Sequence, residues 1–141
     1  MKPIVSVACG IIVREGKVLC AQRGVSQDLA FLWEFPGGKL ELGETAADCL
    51  LREIKEELNL EIEILKALTP QTHLYASGVH IQLIPYLCRY VAGELLLIEH
   101  SDIRWLAIHN LLSLPWCEAD IPIVEELVSL SESGTLNLNF L

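Results

Sequence analysis

Residues 45–58 are marked as a helix at both ends, and the stretches on either side are patterned as strand. Thr45 stands where an N-cap belongs, with Asp48 three residues on in a short-armed version of the capping box. Asn59 follows the last periodic position, where a left-handed residue can close the helix. Ala47, Leu50, Leu51, Ile54 and Leu58 fall on one arc, so one face of this helix must be buried against something. Residues 4–14, rich in Val and Ile, and residues 18–23 flank the turn signal Glu15-Gly16-Lys17 and predict a β-hairpin. A surface loop over 24–32 precedes a short strand over 33–35, stopped by Pro36-Gly37-Gly38. Residues 60–68, 79–91, 94–98 and 103–107 predict further strands, with 79–91 and 94–98 joined by a turn at Ala92-Gly93. Pro85 should mark an edge or a bulge. A second helix is expected over 122–130, capped by Asp120 and carrying Pro122 in its first turn.

Strand runs broken by two helices imply an α/β (α+β) architecture, a mixed β-sheet sandwiched between helices. With 141 residues, of which 52% are hydrophobic and 21% charged, the chain is read as one domain over 1–141 with a substantial core. In the tail 131–141, Leu136, Leu138 and Phe140 alternate with polar residues, which suits a last strand or a subunit contact equally.

Ten Lys and Arg against nineteen Asp and Glu give a formal charge of -9, which disfavours nucleic-acid polymers and anionic membranes as partners. A polyanionic small molecule remains compatible with such a surface if a divalent cation stands between the two sets of negative charge. The five cysteines are scattered without paired spacing and are read as reduced core thiols of a cytoplasmic protein. The histidines, His73, His80, His100 and His109, lack metal-ligand spacing and are expected in hydrogen-bonded, non-catalytic roles.

On the first helix, Glu53, Glu56 and Glu57 share an arc of about 100° beside the apolar face. Carboxylates about 5 Å apart at an effective dielectric of about 20 repel by roughly 3 kcal/mol per pair. Two explanations account for the cluster. One is a solvated acidic face relieved by Arg52, four residues before Glu56. The other is a site for a hard divalent cation, Mg²⁺ or Mn²⁺, which converts the repulsion into binding energy.

The surrounding residues favour the second. From Gly38 the chain runs through five residues to Glu44, through seven more to Arg52-Glu53-Ile54-Lys55-Glu56-Glu57-Leu58, and on to Asn59-Leu60. This resembles the Nudix box, the signature of the Nudix hydrolases, at every specified position except a final glycine replaced by Asn59. At average residue frequencies such a match arises by chance in a chain of this length less than roughly once in a million. Trp33-Glu34-Phe35-Pro36-Gly37-Gly38-Lys39, Ala21-Gln22-Arg23, Glu99-His100 with Trp105, and Ala119-Asp120-Ile121-Pro122 are similar to landmarks of the MutT-like nucleoside triphosphate pyrophosphohydrolases. The similarity covers residues 5–130.

The resemblance implies a Nudix fold and a hydrolase that converts a nucleoside triphosphate and water to a monophosphate and pyrophosphate. It implies that Glu53, Glu56 and Glu57, with the backbone carbonyl of Gly37 and with Glu99, hold Mg²⁺ or Mn²⁺. Glu53 is the first choice of general base and Glu99 the second, and Arg52 orients Glu53. Glu44 either supports that arrangement or simply favours the positive end of the helix dipole. On the substrate side, Arg23 is assigned to a phosphate, Gly38 to close backbone approach, and Phe35 to packing beside the site rather than to stacking on a base. Asp120 stands where relatives place a base-reading side chain, and it is equally suited to capping the second helix, or to both. The expected partner is a small nucleotide, with 8-oxo-dGTP as first candidate in sanitising the nucleotide pool. CTP, dCTP or a modified cytidine triphosphate is the alternative. A non-catalytic nucleotide-binding module is a third reading, against which the intact set of Arg52 and the three glutamates counts. The protein is expected as a monomer or homodimer.

Overall fold

The computed structural model describes residues 3–141. In chain order the elements are β1 (Ile4–Arg14), β2 (Lys17–Gln22), β3 (Trp33–Glu34), β4 (Gly37–Lys39), α1 (Ala46–Leu58), β5 (Glu61–Ala67), β6 (Gln71–Leu74), β7 (His80–Ala92), β8 (Asp102–Leu106) and α2 (Ile121–Glu132). The hairpin of β1 and β2 turns through Glu15 and Gly16, both with positive φ (51° and 76°). The backbone of the sheet is β3-β2-β1-β7-β5, with β4 added to β1, β6 to β7 and β8 to β2. Only β1 and β7 run parallel among these pairings, so the sheet is mixed, as expected.

Alternation along the central strands sorts side chains between two cores. Ala8 and Ile12 of β1 and Leu19 of β2 pack with Cys49, Leu50, Ile54 and Leu58 of α1. Cys9, Ile11 and Val13, with Val18 and Cys20, face the opposite way and pack with Ile123, Val124 and Leu127 of α2. The sheet is thus covered by a helix on each face. All five cysteines are buried and unpaired.

Several local expectations are corrected. Residues 94–98 form no strand: Leu96 N–H donates to Leu58 O at 3.0 Å, and Asn59 Nδ2 donates to Glu94 O at 3.0 Å. The segment is held by groups at the end of α1 rather than by a neighbouring strand. A strand that the sequence pattern did not suggest, β6, pairs instead with the start of β7, from Gln71 opposite Leu83 to Leu74 opposite His80. Pro85 lies at neither an edge nor a bulge of its own strand; it sits inside central β7, opposite Cys9 of β1. Its carbonyl accepts from Leu68 N–H at 2.9 Å, on the side where β5 gives way to β6. The N–H that proline lacks would point to that same side, so the ladder to β1 loses nothing. Beyond Pro36 the two glycines do not end the strand pairing, because Gly37 and Gly38 lie opposite Cys9 and Ala8 as part of β4.

The tail forms no strand among the described residues. Leu138 is buried in the α2-side core, Leu136 packs against it, and the Leu141 carbonyl accepts from Gly16 N–H at 3.4 Å across the β1–β2 turn. The side chain of Phe140 lies outside the described residues.

Candidate active site

Helix α1 is set by its caps. Thr45 Oγ1 accepts from Asp48 N–H at 3.1 Å, and Asn59 takes the left-handed conformation (φ 58°, ψ 35°) with its N–H on the Lys55 carbonyl. Asparagine therefore does the work of the glycine the motif specifies. The helix so fixed carries a network centred on Arg52. Its Nε and Nη2 donate to the two carboxylate oxygens of Glu44 at 2.7 and 2.8 Å. Its Nη1 donates to Glu53 Oε1 at 2.9 Å and to Glu56 Oε2 at 3.2 Å. Glu44 is thereby the anchor of Arg52, and hydrogen bonding to Arg52 draws its carboxyl down to about 2. Arg52 in turn orients Glu53. The Glu53 carboxylate lies flat against Gly38, where any Cβ would overlap it.

Glu57 faces inward. Among the described residues its Oε2 is buried without a hydrogen-bond partner. Burial, then the charges of Glu99 and Glu53, push its carboxyl up to about 9. A buried oxygen with no donor, in the field of the Glu99, Glu53 and Glu34 carboxylates, is chemically suited to a cation. Among the described residues no ready-made set of three metal-binding side chains is present. Glu53 and Glu56 each have an oxygen on Arg52, and the Glu56 side chain is 60% exposed.

A cavity of about 670 Å³ opens beside this turn. Of the expected residues, Arg23, Phe35, Gly37, Gly38, Glu57 and Asp120 line it, while Arg52, Glu53, Glu56 and Glu99 are not part of its lining. Phe35 is buried with its ring centroid 4.7 Å from that of Trp116. Arg23 does not stand alone: its Nη1 donates to Glu34 Oε1 at 2.7 Å and its Nε to the Asp28 carbonyl at 2.6 Å.

Asp120 does not cap α2. Its backbone is already helical, and its Oδ1 accepts from Phe35 N–H at 3.0 Å just beyond β3, with no capping bond from its side chain among the described residues. Burial pushes its carboxyl up to about 8; the Phe35 bond opposes this, the Glu34 charge adds to it, and Arg23 opposes it again. Near neutral pH it is mostly protonated, able both to donate and to accept. The folded protein then holds a proton that the unfolded chain, with an ordinary value of 3.8, has released. The resulting stabilisation is complete below about 4 and disappears as pH rises through about 8. In thermal melts between pH 5 and pH 9 the wild type therefore loses stability relative to Asp120→Asn, by on the order of a kcal/mol per pH unit at most. Parallel curves for the two proteins would contradict this.

Among the cavity residues that were not assigned to the site from sequence are Glu34, His100 and Tyr75. Glu34 was hidden in a short buried strand, where a carboxylate needs a partner that only the sheet supplies. His100 and Tyr75 also line the cavity, with Tyr75 OH accepting from Ala119 N–H at 3.3 Å. The one local signal was the placement of His100 next to Glu99.

The family model described as NUDIX domain matches residues 2–127. The chain is similar to an 8-oxo-dGTP diphosphatase of Haemophilus influenzae, 47% identical over 129 residues, which covers 91% of this chain and 94% of that protein. It is similar to a CTP pyrophosphohydrolase of Escherichia coli, 35% identical over 127 residues, 90% of this chain and 93% of that protein. A solution structure of the E. coli ORF135 protein superposes with a TM-score of 0.81 at 34% identity, covering 92% of each chain.

Proposed function

The chain belongs to the NUDIX family, and from that premise we propose that it hydrolyses nucleoside triphosphates to monophosphate and pyrophosphate, with 8-oxo-dGTP as its preferred substrate. The observation that carries this reading is Glu57, a buried carboxylate with an unpartnered oxygen in the wall of a nucleotide-sized cavity. Mg²⁺, with Mn²⁺ as a substitute, would be held by Glu53, Glu56, Glu57, Glu99 and the Gly37 carbonyl. When bound it neutralises phosphate charge, polarises the attacked phosphorus and lowers the pKa of water. The chain's own residues supply the rest. Glu53, kept in one orientation by Arg52, accepts the proton of the attacking water, with Glu99 the second candidate for that task. Arg23 offers its guanidinium to a phosphate at the cavity wall.

Asp120 supports a guanine-type base. In its protonated form it can donate to O6 and accept from N1–H, a pairing that an ionised carboxylate repels on the O6 side. The Haemophilus influenzae relative points the same way. The cytidine reading has its own support in the E. coli relative, and the same carboxyl can meet a cytosine N4 donor and N3 acceptor. Pyrophosphate release from 8-oxo-dGTP, dGTP, CTP and dCTP separates them. The expected result is a kcat/KM for 8-oxo-dGTP about a hundredfold above that for CTP. A preference for cytidine nucleotides would move the assignment, and binding without turnover of any of them would mark a non-catalytic module.

A further inference from the structure

Three side chains that no sequence motif joins meet where β2 ends. Glu34 stands between Arg23 and His100: its Oε1 accepts from Arg23 Nη1 at 2.7 Å, and its Oε2 lies 3.0 Å from His100 Nε2. The His100 side chain is 2% exposed, and its Nδ1 is buried with no partner among the described residues, so Glu34 is what the ring engages. The corner that carries His100 is stitched to the same strand end. Ser101 N–H donates to the Gln22 carbonyl at 3.0 Å and Ser101 Oγ to the Arg23 carbonyl at 3.4 Å. The Glu99 carbonyl presses so closely on Gly24 that a Cβ there would overlap it.

A carboxylate only accepts, so the ring must carry its proton on Nε2 to bond Glu34. Without that donor, Glu34 would be pinned by Arg23 alone, and Arg23 would lose the fixed partner that sets its place in the cavity wall. We propose that His100 is a positioning residue: its Nε2–H holds Glu34, and Glu34 holds the Arg23 guanidinium where the substrate's phosphates lie. This rests on the pyrophosphohydrolase reading for its substrate, and it reaches the reaction through Arg23 rather than through the cation-binding turn.

The test compares three replacements in the full chain. His100→Leu removes the donor, His100→Gln places an amide N–H near the former Nε2, and His100→Asn places one near Nδ1 instead. The Leu and Asn variants should raise KM for the preferred triphosphate about tenfold with kcat within about threefold, and Gln should restore it. In an Arg23→Ala background His100→Leu should add nothing further. Unchanged KM in Leu and Asn, failure of Gln to rescue, or full additivity with Arg23→Ala would each overturn the proposal. Should the Leu variant fail to fold, the Gln and Asn pair carries the comparison. A second readout does not depend on turnover. Long-range ¹H–¹⁵N spectra should show the wild-type proton on Nε2, and the Arg23 Nε–H resonance should shift in the Asn variant and return in Gln. A proton on Nδ1, or an unmoved Arg23 signal, overturns the assignment even if the wild type turns over no nucleotide, an outcome that by itself removes only the enzymatic reading.

Discussion

Replacing Glu53 by Gln lowers kcat for pyrophosphate release about a thousandfold and leaves the melting temperature close to that of the wild type. The two parts of this expectation come from different contacts. Glu53 receives one hydrogen bond from Arg52, and Gln keeps an oxygen that can accept it, so the helix surface is undisturbed. What Gln lacks is the basic oxygen. With Glu44 gripping Arg52 through both carboxylate oxygens, the Arg52 side is fixed and cannot swing to compensate. Side-by-side measurement of pyrophosphate release and thermal melting checks both halves. Undiminished kcat in Glu53→Gln would hand the proton-accepting task to Glu99, whose charge also acts on Glu57.

The largest expected effect on stability comes from a residue with no side chain. Gly37 faces Cys9 in the β4–β1 pairing, and a Cβ on it would run into the Ala8 carbonyl, a backbone group in the middle of the sheet. No rotamer can relieve that overlap; β4 has to move away from β1. Gly37→Ala is therefore expected to destabilise the fold by about 3 kcal/mol, seen as a melting temperature lower by about 10 °C. Gly38 makes an instructive contrast. A Cβ there meets the carboxylate of Glu53, the far end of a flexible side chain. Gly38→Ala should keep most of its stability and lose activity, since the displaced group is the one assigned to the proton. Equal loss of stability in the two variants would show that the backbone contact is not the limiting one.

Helix α1 was legible because its determinants are local. Thr45, Asp48 and Asn59 act within a turn of themselves, and the spacing of Glu53, Glu56 and Glu57 places them without reference to any other element. The spacing alone left a solvated acidic face and a cation site both open, and it was the resemblance of the surrounding residues to the Nudix box that favoured the second. The features that escaped depend on partners far along the chain. Residues 71–74 carry no alternation that marks a strand, and become one only because β7 passes beside them. Residues 94–98 have the composition of a strand, yet the polar groups that engage them are at the end of α1. Pro85 looked like an edge because its missing donor was counted without knowing which side it would face. Asp120 was open from its position to capping, to reading a base or to both, while the donor that engages its carboxyl, Phe35 N–H, is distant in sequence and comes beside it only because the segment before α2 runs along β3. Glu34 and His100 are distant in sequence as well, and their meeting follows from the pairing of β3 and β8 on either side of β2.

The parallel ladder of β1 and β7, from Ile4 beside His80 to Val13 beside Arg89, has a consequence for how the molecule comes into being. Parallel neighbours cannot be joined by a tight turn, so β1 must wait until everything from β2 to β6 has been made before its partner β7 arrives. His100 and Asp120 follow later still. Until then the stretch from β1 to β6, acidic helix included, has no complete pocket to serve, and the cavity takes shape only once the segment carrying Asp120 has been made.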